Sequence, residues 1–271
     1  MPFTVTHIAA AIPIAWCFRW RLPFSALAIG CMICDLSVFF PRLVSYQATH
    51  SMQGIVTHCL PLGLIAFFSY HWVLKQPLCA LLPQRLARRT ATWANQMPRL
   101  TIGHVAIIVG CLLFGAASHV LWDSFTHENR WGTRAIPMLN SIAFEFPSRA
   151  VCWYSVLQHG SSVVLLPPLL AGWLLWLYRQ PQVEQTAAPG VPWSVKLVAI
   201  LLLLVVPLIA WKLALQRFPG EPSYFIMHVA VKVAGGLLIA SAVAYAIIYT
   251  MLSRVSLLER IEEGIEDGGN R

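Results

Sequence analysis

The chain has 271 residues, of which 58% are hydrophobic and only 11% charged, and its net charge is +8. Its mean hydropathy is +0.65, whereas a soluble domain carries roughly 25% charged residues, so a water-soluble globular fold is excluded and an integral membrane protein is expected. The positive charge then belongs to loops held against anionic lipid, and no nucleic-acid partner is expected.

Seven apolar stretches are long enough, or nearly so, to cross a bilayer: about 3–18, 23–41, 54–74, 101–122, 155–178, 194–215 and 225–252. The expected fold is all-α, a polytopic membrane bundle of about 6–7 transmembrane helices. The first stretch is short enough to span or to re-enter. Met1 to Trp20 lacks a basic leader and a small-residue cleavage site, so this segment is kept as structure. Placing residues 75–100 inside puts twelve Lys and Arg in inner segments against five in outer ones. That bias orients the N-terminus outside and the C-terminus in the cytoplasm.

Pro61, Pro167, Pro168 and Pro207 interrupt stretches and are expected to kink them. Ala230 with Ala234, and Gly236, Ala240 and Ala244, recur at fours as small residues suited to close helix packing. Lys75 to Leu100, with Arg85, Arg88 and Arg89, reads as a basic inner-surface segment. The expected organisation is a membrane-embedded core over 1–178, a linker over 179–193, an appended helix pair over 194–252 and an acidic tail over 253–271. Seven cysteines are scattered through apolar runs; Cys31 and Cys34 form a C-x-x-C with no second pair, so they read as small buried packers.

The chemistry concentrates in Ala117-Ser118-His119-Val120-Leu121-Trp122-Asp123-Ser124-Phe125-Thr126-His127. On an α-helix, steps of four place His119, Asp123 and His127 at about 0°, 40° and 80°, on one face. Imidazole and carboxylate are the common ligands of zinc and similar ions, and an i, i+4 pair can share one. The outer two lie ~12 Å apart along the axis, so the third residue needs a second ion or a supporting role. The charge-derived topology brings His7, Asp35, His50, His58 and His159 to the same membrane level as these three. Ionisable groups at that depth are expensive and mark function.

In order along the chain, Met1-Pro2-Phe3-Thr4 with His7, Gly30 to Asp35, His50-Ser51 and Leu60-Pro61-Leu62-Gly63 make one series. Gly115-Ala116 through His119, Trp122 to His127 and Leu157-Gln158-His159 continue it. This series resembles the bacterial membrane family called domain of unknown function 4184, over about residues 1–175. More distantly it resembles the membrane-bound metal-dependent hydrolases, and by analogy the zinc phospholipase C and P1-nuclease families. The chain departs from those relatives in having Cys34 where they place proline before the Asp. The resemblance implies a bacterial cytoplasmic (inner) membrane protein and a divalent metal, zinc foremost. As metal ligands it implies His7, Asp35, His50, His119, Asp123 and His127, with His127 and His159 as catalytic groups.

Two function classes follow. One is a membrane-embedded metal-dependent hydrolase acting on a lipid-linked or phosphoester substrate at the outer face, with Arg130, Arg134 and Arg149 on the same side. The other is a non-enzymatic membrane protein, a metal or proton transporter or a structural component, in which the His/Asp row lines a pathway. Transport requires ionisable groups in both halves of several helices, and the inner half is nearly bare. No H-e-x-x-H-type zincin motif, G-x-S-x-G or Pro-Ser-Gly-His step occurs, which disfavours zincin, serine-hydrolase and metal-free lipid-phosphatase mechanisms. The bilayer is the one certain partner.

Overall fold

The computed structural model describes residues 4–146, 149–183 and 191–268. Met1-Pro2-Phe3, residues 184–190 of the expected linker and residues 269–271 of the tail lie outside that description. The chain is mostly helical. Helix α1 (Thr4–Cys17) opens as a 3₁₀ turn over Thr4–Ala10, followed by α2 (Phe24–Ile33) and two short helices, α3 (Leu36–Phe39) and α4 (Tyr46–Thr49). Then come α5 (Met52–Leu81), α6 (Gln84–Asn95), α7 (Ile102–Thr126) and the short α8 (Trp131–Ala135). A hairpin of β1 (Ile142–Phe146) and β2 (Arg149–Cys152) precedes α9 (Trp153–Arg179), α10 (Trp193–Arg217) and α11 (Ser223–Gly268).

Five helices are long and apolar enough to cross a membrane: α5, α7, α9, α10 and the Phe225–Ser253 part of α11. Leu203, Leu204 and Leu208 of α10 are each at least 60% exposed, an arrangement that suits hydrocarbon and not water. The first apolar stretch is short, as expected, and Arg19 and Trp20 take left-handed backbone after α1, whereas the second is shorter than expected because α2 stops at Ile33. The hairpin is the non-helical element that the apolar pattern did not announce. Its Ile142, Phe144 and Phe146 are all exposed, with a bulge between Ile142 and Phe144 that breaks the alternation, and such exposed apolar side chains fit seating at a membrane interface. Two wide π turns in α5, Ile55–Cys59 and Tyr70–Leu74, each precede a proline, Pro61 and Pro77. A proline removes an i→i−4 bond, and a widened turn absorbs that loss without breaking the helix.

The residues divide into two compact units. One joins the chain up to Phe67 with Arg99–Trp176. Its centre is the crossing of α2 and α7. On α7 the buried set Ile108, Cys111, Leu112, Gly115, Ala116, His119, Asp123 and Thr126 makes one helical stripe. Glycine permits the contact: a Cβ on Gly30 would stand 2.6 Å from the Leu112 carbonyl oxygen, and one on Gly115 2.6 Å from the Cys31 nitrogen. Backbone thus lies on backbone, the close approach that small residues allow between membrane helices. Beneath the site pack Ile33, Cys34, Ile55, Cys59 and Ala116.

The other unit holds Phe68–Pro98 and the chain from Leu177 onward. Within it α10 and α11 meet through Ala210, Ala214, Ile226, Ala230 and Ala234, so the Ala230/Ala234 step is a packing feature. The basic residues are put to use there. Arg89 donates to the carbonyls of Tyr178 (2.6 Å) and Gln180 (2.8 Å), and Lys196 to that of Leu82 (2.7 Å). Helix ends leave such carbonyls unpaired, and cations satisfy them well.

If the α2–α7 crossing depends on bare backbone, Gly115→Val should destabilise the protein by about 1–3 kcal/mol through overpacking. Gly110→Ala, on the same helix but facing open space, should leave the melting temperature in detergent unchanged or slightly raised.

Candidate metal centre

Four side chains from three places in the chain converge. Asp35 sits in the turn between α2 and α3, His50 caps α4, and His119 and Asp123 lie one turn apart on α7. All are buried, at 2%, 4%, 1% and 5% exposure, and one donor atom from each lies within 4.8 Å of every other. The turn at Asp35 forms without the proline of the distant relatives. Cys34 stays helical, and the Ser37 hydroxyl donates to the Cys34 carbonyl at 3.0 Å.

The hydrogen-bond pattern assigns the tautomers. His119 Nδ1 lies 2.7 Å from the Cys31 carbonyl oxygen, and His50 Nδ1 lies 3.1 Å from that of Tyr46. A carbonyl only accepts, so both Nδ1 atoms carry hydrogen and the inward Nε2 atoms are free to present lone pairs. Those two Nε2 atoms face each other at 3.3 Å. Asp35 Oδ1 is 3.6 Å from each of them, and Asp123 Oδ2 is 3.4 Å from that of His50 and 3.5 Å from that of His119. Two lone pairs and two carboxylate oxygens pointing at one spot repel unless a metal ion or protons on the imidazoles stand between them.

The spacing also fits an ion in size. A tetrahedral ion with ligands at ~2.0–2.1 Å has donor–donor edges of about 3.3–3.4 Å. Five of the six edges here run from 3.3 to 3.6 Å. The group can therefore hold a metal ion.

Supporting contacts orient each ligand. Thr4 donates to Asp35 Oδ2 at 2.7 Å, which leaves Oδ1 for the centre. The rings of His7 and His119 stack at 3.8 Å, and His50 stacks on Tyr46 at 3.8 Å. Tyr46 in turn lies under the Arg130 guanidinium, whose Nη1 also donates to the His50 carbonyl at 3.3 Å. Burial alone lowers the His50 pKa, but its bonds to Asp123 and Asp35 outweigh that and raise it above the ordinary value. His127 shifts the other way, with burial the main cause.

The chain belongs to the family described as a domain of unknown function (DUF4184). The family model matches residues 1–249, past the last of the quoted motifs and through most of α11. No curated protein and no solved structure matches the chain.

Of the residues singled out from the sequence, the structure gathers Asp35, His50, His119 and Asp123 as one group. His7 joins its edge: His7 Nε2 is 3.6 Å from Asp123 Oδ1, and neither atom has a hydrogen-bond partner. His127 also adjoins, but not as an idealised helix predicts. Helix α7 ends at Thr126 and His127 takes extended backbone. Its Nδ1 donates to the Asp123 carbonyl (3.2 Å) and lies 3.6 Å from Asp123 Oδ2, while its Nε2 accepts from Gln158 at 3.1 Å. His159 and His58 are exposed and stand outside the group. Gln158, the buried neighbour of His159, is the member that sequence reasoning passed over, as is Thr4. Thr4 had a signal: on a 3₁₀ turn, residues three apart eclipse, which sets Thr4 beside His7.

Removal of a ligand should empty the centre. Asp123→Ala or His119→Ala should purify with little metal by elemental analysis, and His104→Ala, exposed at the far end of α7, should keep the wild-type content. Thr4→Val, which removes only a supporting contact, should weaken metal affinity by about tenfold or more.

Proposed function

We propose that the protein is a membrane-embedded, metal-dependent hydrolase of a lipid-linked or phosphoester substrate, with Asp35, His50, His119 and Asp123 as ligands of a divalent ion, zinc foremost. The observation that carries this reading is the convergence of two imidazole nitrogens and two carboxylate oxygens at ion-sized spacing, of which one, Asp35 foremost, gives way to water in the catalytic form. When bound, such an ion lowers the pKa of a coordinated water towards about 7 and polarises the scissile bond. The side chains do the rest. Thr4 and the Cys31 and Tyr46 carbonyls hold the ligands in register. His7, with an unpaired nitrogen beside Asp123, is placed to take or give a proton. His127, fixed by Gln158, orients Asp123. Arg130, beside Tyr46 and His50, is placed to meet an anionic headgroup. His159 has no step in this reading.

The depth of burial supports a second reading, a structural ion. A four-protein-ligand shell is the usual form of a structural zinc site, whereas catalysis keeps a position open to water. Transport is less well supported, because among the described residues a single ligand group of this kind occurs. The deciding experiment is hydrolysis of a lipid phosphoester by purified protein with its metal measured. Turnover that Asp123→Asn reduces by about a hundredfold or more, and that a chelator abolishes and zinc restores, supports the hydrolase. Full metal content with no turnover on phosphoester or carboxylic-ester lipids supports the structural ion.

The proposed orientation places this centre on the outer side of a bacterial cytoplasmic membrane and the Lys75–Leu100 segment inside. In a chain stripped of its seven native cysteines, Glu128→Cys should react with an impermeant maleimide on intact cells. Gln84→Cys should react after lysis alone. The reverse order refutes the orientation.

A further inference from the structure

A groove of about 480 Å³ lies between α1, α7 and α9, walled by Ala10, Leu121, Trp122, Phe125 and Leu165, with His7 among its lining. Its volume falls within the ~300–1,000 Å³ usual for ligand sites. We infer that this groove seats the hydrocarbon chain of a membrane lipid whose phosphoester end reaches His7 and the neighbouring metal ligands. The inference deepens the proposed hydrolase reading and rests on it for the fate of the polar end.

Three observations argue for this occupant. Two of the walls, α7 and α9, are helices long and apolar enough to span a membrane. Leu121 is 55% exposed on one wall, and Val163 and Val164 of α9 are 68% and 69% exposed close by. The mouth of the groove therefore meets hydrocarbon, where an acyl or isoprenoid chain is the abundant ligand and water is scarce. Second, the groove has one polar point of consequence. His7 is 6% exposed, and its Nε2 lacks a hydrogen-bond partner, as does Asp123 Oδ1, its ionic neighbour at 3.6 Å. A plain hydrocarbon would leave that nitrogen unsatisfied at a penalty of about 1–3 kcal/mol, whereas an ester or phosphate oxygen answers it. Third, Thr6, Ser118 and Ser161 add only neutral polarity to the lining. The groove thus has no charge along its length to bind a headgroup, and the one side chain in its lining that can carry charge is His7. Apolar length with one polar terminus is the shape of a lipid.

The test uses the full chain in phosphatidylcholine nanodiscs, with a phosphatidic acid carrying a diazirine in its acyl chain as the probe. After irradiation, labelling over Leu121–Phe125 and Ser161–Leu165 should saturate with probe and yield to excess unlabelled phosphatidic acid. Labelling over Leu203–Leu208 of α10, exposed on the helix surface, should rise linearly. Ala10→Trp and Ser161→Trp should each lower groove labelling by about fivefold or more, since an indole takes up volume that a chain needs, with metal content unchanged as the sign of intact folding. If a variant loses its metal, competition on the unmodified chain decides alone. Groove labelling that stays linear and uncompeted, or that persists in a metal-replete tryptophan variant, overturns the inference. A chain that labels saturably yet carries no metal sinks the hydrolase and keeps the lipid seat, and a metalloprotein with linear labelling sinks the seat alone.

Discussion

Two carboxylates, Asp35 and Asp123, are buried together with two imidazole nitrogens that face each other. Burial of a single unpaired carboxylate is already prohibitive, and two together demand positive charge between them. Most of the polar architecture of the first unit answers that demand. Thr4 binds the outer oxygen of Asp35, and the Cys31 and Tyr46 carbonyls point the histidine nitrogens inward. Tyr46 and His7 close over the imidazole faces. The centre is thus less a set of four residues than a group held in place by its surroundings.

That orientation needs α2 and α7 to touch. Cys31 is on α2 and supplies its carbonyl to His119 on α7. The bond forms because Gly30 and Gly115 let the two backbones approach to contact distance. A bilayer supplies little hydrophobic drive between helices, so close packing and interhelical hydrogen bonds carry the association. The same crossing that stabilises the unit therefore sets the reactive geometry. The groove beside it sets His7 between an apolar lining and the buried centre.

The helices were legible wherever hydrophobic length decides. α7, α9, α10 and α11 fall close to the expected stretches. The 3.6-residue period also put His119 and Asp123 on one face, as found. Where local backbone decided, pattern fell short. His127 leaves the helix, α1 starts as a 3₁₀ turn, and a bulge between Ile142 and Phe144 breaks the alternation of the exposed hairpin. His58 and His159 share the expected membrane level with the ligands but lie on exposed faces, because level does not specify which way a helix is turned.

Composition and hydropathy by themselves determined that this chain lives in a bilayer. The His/Asp spacing determined that a cation site is a serious prospect, since both are properties of residue type and of helix period. Tertiary structure alone decided which candidates converge, which stand around them, and that Gln158 and not His159 bonds to His127 beside the group. The reason is physical. Convergence of Asp35, His50 and Asp123 spans nearly ninety residues of chain, and it is set by the rotation and contact of packed helices. Each helix carries its own face in the sequence, but the face of its neighbour exists only once the two are packed.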